Sequence, residues 1–134
     1  MNVVYPMTAL AVLAERVGAL KGACAQTDQE ISEFFSEWKN IGGGWKEHKT
    51  TGQRKIDGYF AAAPAITSSL DAAVAFKEAM LPGWEITLSF SQARAGAVVA
   101  DFKAGIRHGA DAPTPAIALV LAVLRALEAQ HVEG

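Results

Sequence analysis

Hydrophobic positions in this chain follow two rhythms, one of three to four residues and one of two. Leu10, Leu13, Val17 and Leu20 recur at helical spacing with Ala14 among them and Glu15 and Arg16 opposite, which predicts an amphipathic helix capped at Thr8 and ending near Gly22. Thr27 and Glu30 have capping-box spacing, and Ile31, Phe34, Phe35 and Trp38 then form one apolar stripe, predicting a second helix from Asp28 to Lys39. Gly42, Gly43 and Gly44 stop it, because residues without a β-carbon make helix costly in backbone entropy. From Ile41 to Pro64 no period is legible.

The second half is plainer. Thr67 or Ser68 caps a third helix whose inward positions are Leu70, Ala73, Val74 and Met80 or Leu81, and Pro82-Gly83 ends it. Trp84, Ile86, Leu88 and Phe90 alternate with Glu85, Thr87, Ser89 and Ser91, the period of a strand with one buried face. Gln92 to Gly96 reads as a hairpin connection. Ala97 to Phe102 returns as the partner strand, with Val98, Ala100 and Phe102 on one face. Lys103 to Pro113 reads as loop. Thr114-Pro115 joins a cap to the one helical position where proline is harmless and opens a final helix to about Gln130. Its stripe is Ile117, Val120, Leu121, Leu124 and Leu127, and Leu119 and Val123 widen the apolar arc, so this helix must be buried on two sides.

The expected class is α+β: a helix-sheet-helix sandwich with a small antiparallel sheet and a helical N-terminal part. A chain of 134 residues is one domain's length, divided into helical residues 1–40, a basic glycine-containing loop at 41–65 and an α-β-β-α core at 66–134. An isolated hairpin is marginal in water. A further strand around Lys55 to Ala63, which holds Ile56, Tyr59 and Phe60, or a second subunit must therefore complete the sheet. The broad final helix favours a homo-oligomer, most simply a two-fold dimer.

Composition narrows the function classes. With 51% hydrophobic and 19% charged residues the chain has enough apolar surface for a core, which excludes wholesale disorder. Twelve Lys and Arg against 14 Asp and Glu leave a net charge of -2, so no bulk nucleic-acid binding is expected. The one cysteine, Cys24, cannot form an intrachain bridge, which favours a reducing cytoplasm. Met1 to Ala14 is apolar, but no basic stretch precedes it, Glu15 and Arg16 interrupt the run, and in Leu20-Lys21-Gly22-Ala23-Cys24 Lys21 sits where a lipoprotein cleavage box needs an aliphatic residue, so no export signal is expected. The apolar run from Pro115 to Leu124 is too short for a bilayer, and no membrane span is expected.

Candidate chemistry lies in the connectors. Residues 39 to 55 carry Lys39, Lys46, Lys49, Arg54 and Lys55 against only Glu47, with Trp45, His48 and four glycines among them. Glycines let backbone amides turn toward an anion, the cations add charge-assisted bonds and Trp45 offers a stacking face, which together suit a phosphate-bearing ligand. Arg94, Lys103, Arg107 and His108 form a second set near the start of the last helix, where unpaired amides favour anions. The ligand-binding candidates are Trp45, Lys46, Arg54, Lys55, Arg94 and Arg107. The three histidines His48, His108 and His131 have no zinc spacing, and no metal or cofactor is expected. A Cys24 nucleophile would need His48 or His108 beside it. Paired acids such as Asp28 and Glu30, or Asp71 and Glu78, are explained by helix starts and exposed faces. A non-catalytic protein is expected.

Three stretches carry a resemblance. Thr67-Ser68-Ser69-Leu70-Asp71-Ala72-Ala73, Leu81-Pro82-Gly83-Trp84, and Ala112-Pro113-Thr114-Pro115-Ala116-Ile117-Ala118-Leu119 resemble the small phage and prophage proteins of the phage ABA sandwich domain family. The likeness runs from Thr67 to the end and more loosely over the first 40 residues, where Asp28-Gln29-Glu30-Ile31 carries it; the basic middle has no counterpart. It implies a layered helix-sheet-helix fold and a phage origin, with no reaction and no catalytic residues. A phage accessory protein of this kind acts by binding, including in counter-defence, and needs only a shaped pocket or patch. The reading is sequestration of a nucleotide-like host small molecule; the alternative is a module that blocks or bridges a host or phage protein, or a structural phage component.

Overall fold

In the computed structural model, which describes residues 7–56 and 65–133, the chain is an α+β fold of four helices and two small antiparallel sheets, consistent with the helix-sheet-helix expectation. In chain order the elements are α1 (Met7–Gly18), α2 (Ala25–Phe35), β1 (Trp38–Gly42), β2 (Trp45–His48), β3 (Arg54–Ile56), α3 (Leu70–Met80), β4 (Glu85–Phe90), β5 (Ala95–Asp101), β6 (Ile106–Ala112) and α4 (Pro115–Glu133). Strands β1-β2-β3 form one sheet and β4-β5-β6 the other. Among the described residues no helix is long and apolar enough to cross a membrane.

Helix α4 organises the core. It opens as its sequence dictates, with Pro115 first and the Thr114 hydroxyl accepting the Ile117 amide proton at 3.3 Å. Every residue from Ala116 to Leu124 is at most 4% exposed. One flank lies on β5 and β6, the other against α1 and α3. The wide apolar arc is thus used within one chain, which removes the reason it offered for a second subunit. Burying a Val, Leu or Ile side chain stabilises by roughly 1.5–3 kcal/mol, so this helix supplies the largest block of core energy.

The second sheet corrects two expectations. Ala97 and Val99 of β5, not Val98 and Phe102, belong to the core, and Phe102 is 67% exposed. Register explains this: Val99 pairs with Ile86 and His108, and Ala97 with Leu88 and Ala110, which puts these positions on the helix-facing side. The stretch read as loop from Lys103 contains β6, whose Ala110 and Ala112 are small enough to let α4 approach. The core segment is therefore α-β-β-β-α. Phe90, at the end of β4, is 70% exposed despite its correct phase.

Helix α1 buries Leu10, Leu13, Ala14 and Val17 as its spacing predicts, with Thr8 inside the helix and not at its cap. It ends at Gly18, not near Gly22, as the Leu20 amide bonds back three residues to Val17. Helix α2 begins at Ala25 with Cys24 as N-cap and no side-chain cap, so Thr27 and Glu30 form no capping box. Glu30 instead pairs with Arg16 of α1. The helix stops at Phe35 because Ser36 turns to an extended conformation and its hydroxyl accepts the Trp38 amide proton at 3.1 Å. Trp38 then belongs to β1 and leaves the helical stripe.

Residues 38 to 56, expected as a helix end followed by a loop, form the three-stranded meander β1–β3. The glycine run is its first turn: Gly42, Gly43 and Gly44 hold φ of +97°, +62° and +81°, values a β-carbon strains. The glycines expected to stop the second helix make the hairpin instead, because that helix has already ended at Phe35. Strand β3 reaches Ile56 but pairs with β2 in this sheet, so the strand expected near Lys55 to Ala63 does not complete the β4–β5 hairpin, which β6 does instead; Tyr59 and Phe60 lie outside the described residues. Helix α3 is capped by Ser69, not Thr67 or Ser68, with its hydroxyl accepting the Ala72 amide proton at 3.2 Å. Its buried stripe is Ala73, Lys77 and Leu81; Leu70 lies in the first turn, before that stripe, and is 36% exposed.

Candidate functional site

The six candidate residues do not converge. Trp45 and Lys46 sit on β2, Arg54 and Lys55 on β3, Arg94 in the β4–β5 turn and Arg107 on β6. Strand alternation divides the first four. Trp45 pairs with Ile56 and Glu47 with Arg54 on one face, while Lys46 pairs with Lys55 on the other. Arg94 and Arg107 lie toward opposite ends of the second sheet: Arg94 adjoins Ala95, whereas Arg107 pairs with Ala100, roughly 17 Å further along the strand at about 3.4 Å per residue.

Several cations of the basic segment have work within the fold. Lys49 Nζ donates to the carbonyls of Glu33 (2.5 Å) and Phe34 (3.3 Å), closing the C-terminal end of α2 and tying the first sheet to it. Lys55 Nζ lies 4.1 Å from the centre of the Trp38 ring, and Arg54 approaches Glu47 at 3.9 Å. His48 packs edge-on against Trp38, and its Nδ1 accepts the amide protons of Thr50 and Thr51, which shapes the β2–β3 turn. A trough of about 730 Å³ between α1, α2 and the first sheet mixes Arg16, Lys39 and Lys49 with Glu30 and Glu33, so it has no single charge sign to recruit an anion.

The hollow with a consistent character is elsewhere, between α2 and α3. Along α2, Asp28, Ile31, Ser32 and Phe35 fall at helical spacing on one side, with Ser36 just past its end; along α3, Ala72, Ala75, Phe76, Ala79 and Met80 do the same. These two stripes, with Ile66, enclose an apolar groove of about 560 Å³. Phe35 bridges the helices edge-on to Phe76, with ring centres 5.4 Å apart, and meets Phe34 at 4.9 Å. The three alanines keep the α3 wall low and leave the space open. Helix α3 can present this stripe because a different one, Ala73, Lys77 and Leu81, is buried in the core.

One end of the groove is polar and fixed. Asp28, 6% exposed, accepts the Thr67 amide proton at 2.8 Å through Oδ1. The Thr67 hydroxyl accepts the Cys24 amide proton at 2.9 Å and donates to the Cys24 carbonyl at 3.3 Å. The turn before α3 is thereby fastened to the start of α2. The Cys24 thiol is held below its ordinary pKa, chiefly by the Thr27 hydroxyl and then by the Thr27 backbone. Among the described residues no three His, Cys, Asp or Glu side chains gather as a metal-ligand set.

Reading one helix at a time conceals this groove. The stripe on α2 is visible as Ile31 and Phe35, but the alanines of α3 carry little hydrophobic signal, and Asp28 is readily explained by the helix start. Only the apposition of two stripes makes a hollow. No family model, curated protein or solved structure matches the chain.

Proposed function

We propose that the protein acts by binding another protein, without catalysis, and that the groove between α2 and α3 is its recognition surface. The observation that carries this reading is the pair of facing helical stripes around an apolar hollow of about 560 Å³, a shape that accepts the apolar face of a partner helix. In keeping with the resemblance to phage ABA sandwich proteins, the partner is a host or phage protein met in the host cytoplasm, a compartment that suits the single thiol. Blocking a host defence protein is one such role. The test is affinity capture with the wild-type chain beside Ala75→Trp, which fills the groove from an exposed position. A partner retained by wild type and by Arg94→Ala and Arg107→Ala, but lost with Ala75→Trp, supports the reading. Equal retention by Ala75→Trp contradicts it.

A second reading, a phosphate-bearing small molecule on the first sheet, is favoured by the cross-strand pairing of Lys46 with Lys55 on the face that holds Trp38. Two cations on one face offer a phosphate group two charge-assisted hydrogen bonds. A thermal-stability screen with cyclic and linear nucleotides decides it. A ligand at 100 times its Kd adds about 2.7 kcal/mol, and the absence of any shift retires this reading.

A further inference from the structure

Resting on the groove as the binding surface, we infer that its Asp28 end is a subsite for a primary ammonium, the side chain of a lysine on an otherwise apolar partner helix. Asp28 is more than nine-tenths buried and uses Oδ1 for the Thr67 amide. Its Oδ2 accepts no hydrogen bond from a described residue. No buried side-chain oxygen among the described residues is without a partner, so Oδ2 reaches solvent. The hollow that Asp28 lines is the groove.

Charge complementarity identifies the occupant. Among the described residues no Lys, Arg or His lines the groove, and Asp28 is its one charged group. A wholly apolar segment would strip water from the carboxylate and leave it without a partner, whereas a cation placed there compensates the loss. The free geometry also selects among cations. A guanidinium binds a carboxylate best as a fork across both oxygens, for which a side chain 6% exposed with Oδ1 held against the Thr67 amide leaves little room; an ammonium is a point charge that needs one oxygen. From Asp28 to Phe35 the α2 wall runs roughly 10 Å at about 1.5 Å per residue, or two helical turns. The fitting segment is therefore a helix with a lysine at one end of a two-turn apolar stripe.

Amide chemical shifts of the whole chain, titrated with 4-phenylbutylamine and with the neutral 4-phenylbutan-1-ol, test this directly. Both probes should shift Ile31, Phe35, Ala75 and Met80, the amine with a Kd lower by about tenfold, as for a hydrogen bond to a charged group. In Asp28→Asn, which keeps an acceptor for Thr67, the two affinities should converge. Equal affinity of both probes for the wild type overturns the ammonium subsite and leaves the groove reading standing. If neither probe shifts the groove, both fall. Should Asp28→Asn not fold, the comparison on the wild type decides alone.

Discussion

Lys77 is the sharpest test of how the core is built. Its side chain is 2% exposed on the stripe of α3 that packs toward α4, and its Nζ meets Glu78 Oε1 at 2.5 Å, with Glu78 57% exposed. The stem does the packing of an aliphatic residue while the ammonium is a charge withdrawn from water and held by one partner at the rim. Replacing the amine without the stem, as in Lys77→Met, is expected to leave stability unchanged or raise it by about 1–3 kcal/mol, since a well-packed apolar residue avoids the desolvation cost. Lys77→Ala removes three methylenes at about 0.8 kcal/mol each and leaves a cavity, a loss of about 2–4 kcal/mol. Glu78→Gln keeps the shape but weakens the partner; because Glu78 is largely solvated, the loss should be about 1 kcal/mol, below the range for a fully buried pair. Urea unfolding at constant m-value measures all three. If Lys77→Met proves as damaging as Lys77→Ala, the ammonium itself holds the fold together and the reasoning fails.

Thr114→Ala should cost about 1 kcal/mol through the lost cap on α4, while Thr8→Ala, inside α1, should cost much less; thermal melts compare them. Val99→Ser, at a position with 0% exposure, is expected to lose about 2–3 kcal/mol, whereas Phe102→Ser, 67% exposed, should stay within about 0.5 kcal/mol; the reverse order in urea midpoints would mean that β5 has the opposite phase. Thr27→Val should raise the Cys24 thiol pKa, because the hydroxyl that favours the thiolate is gone. Thiolate absorbance across a pH series reads the shift, and an unchanged titration would show that the hydroxyl has no such role. A depressed thiol pKa contributes stability above the unfolded value, and that contribution is lost as pH falls through the folded one.

The helices and the first strand of the second sheet are legible because their signals are redundant. In α4, the Thr114 cap, the Pro115 start and a continuous apolar arc agree, and β4 alternates without exception until Phe90. Where residues are small, the signal fades. Strand β6 reads Ile-Arg-His-Gly-Ala-Asp-Ala, with few β-branched or aromatic side chains, because its inward positions must admit α4. The Ala-Gly-Ala start of β5 hides its phase for the same reason. The glycines at 42 to 44 carry two meanings, helix stop and hairpin turn, and the strands on either side are too short to choose between them. Sequence neighbourhood groups the six candidate residues, but a strand sends neighbours to opposite faces, which separates Trp45 from Lys46 and Arg54 from Lys55. The groove depends on pairing α2 with α3, a long-range fact that no local pattern records.

The most direct measurement is amide chemical-shift mapping of the labelled chain with a captured partner. Perturbations centred on Ile31, Ser32, Phe35, Ala75, Ala79 and Met80 are the predicted result. Perturbations centred on Lys46 and Lys55, or on Arg94 and Arg107, with the walls of α2 and α3 unmoved, would contradict the account.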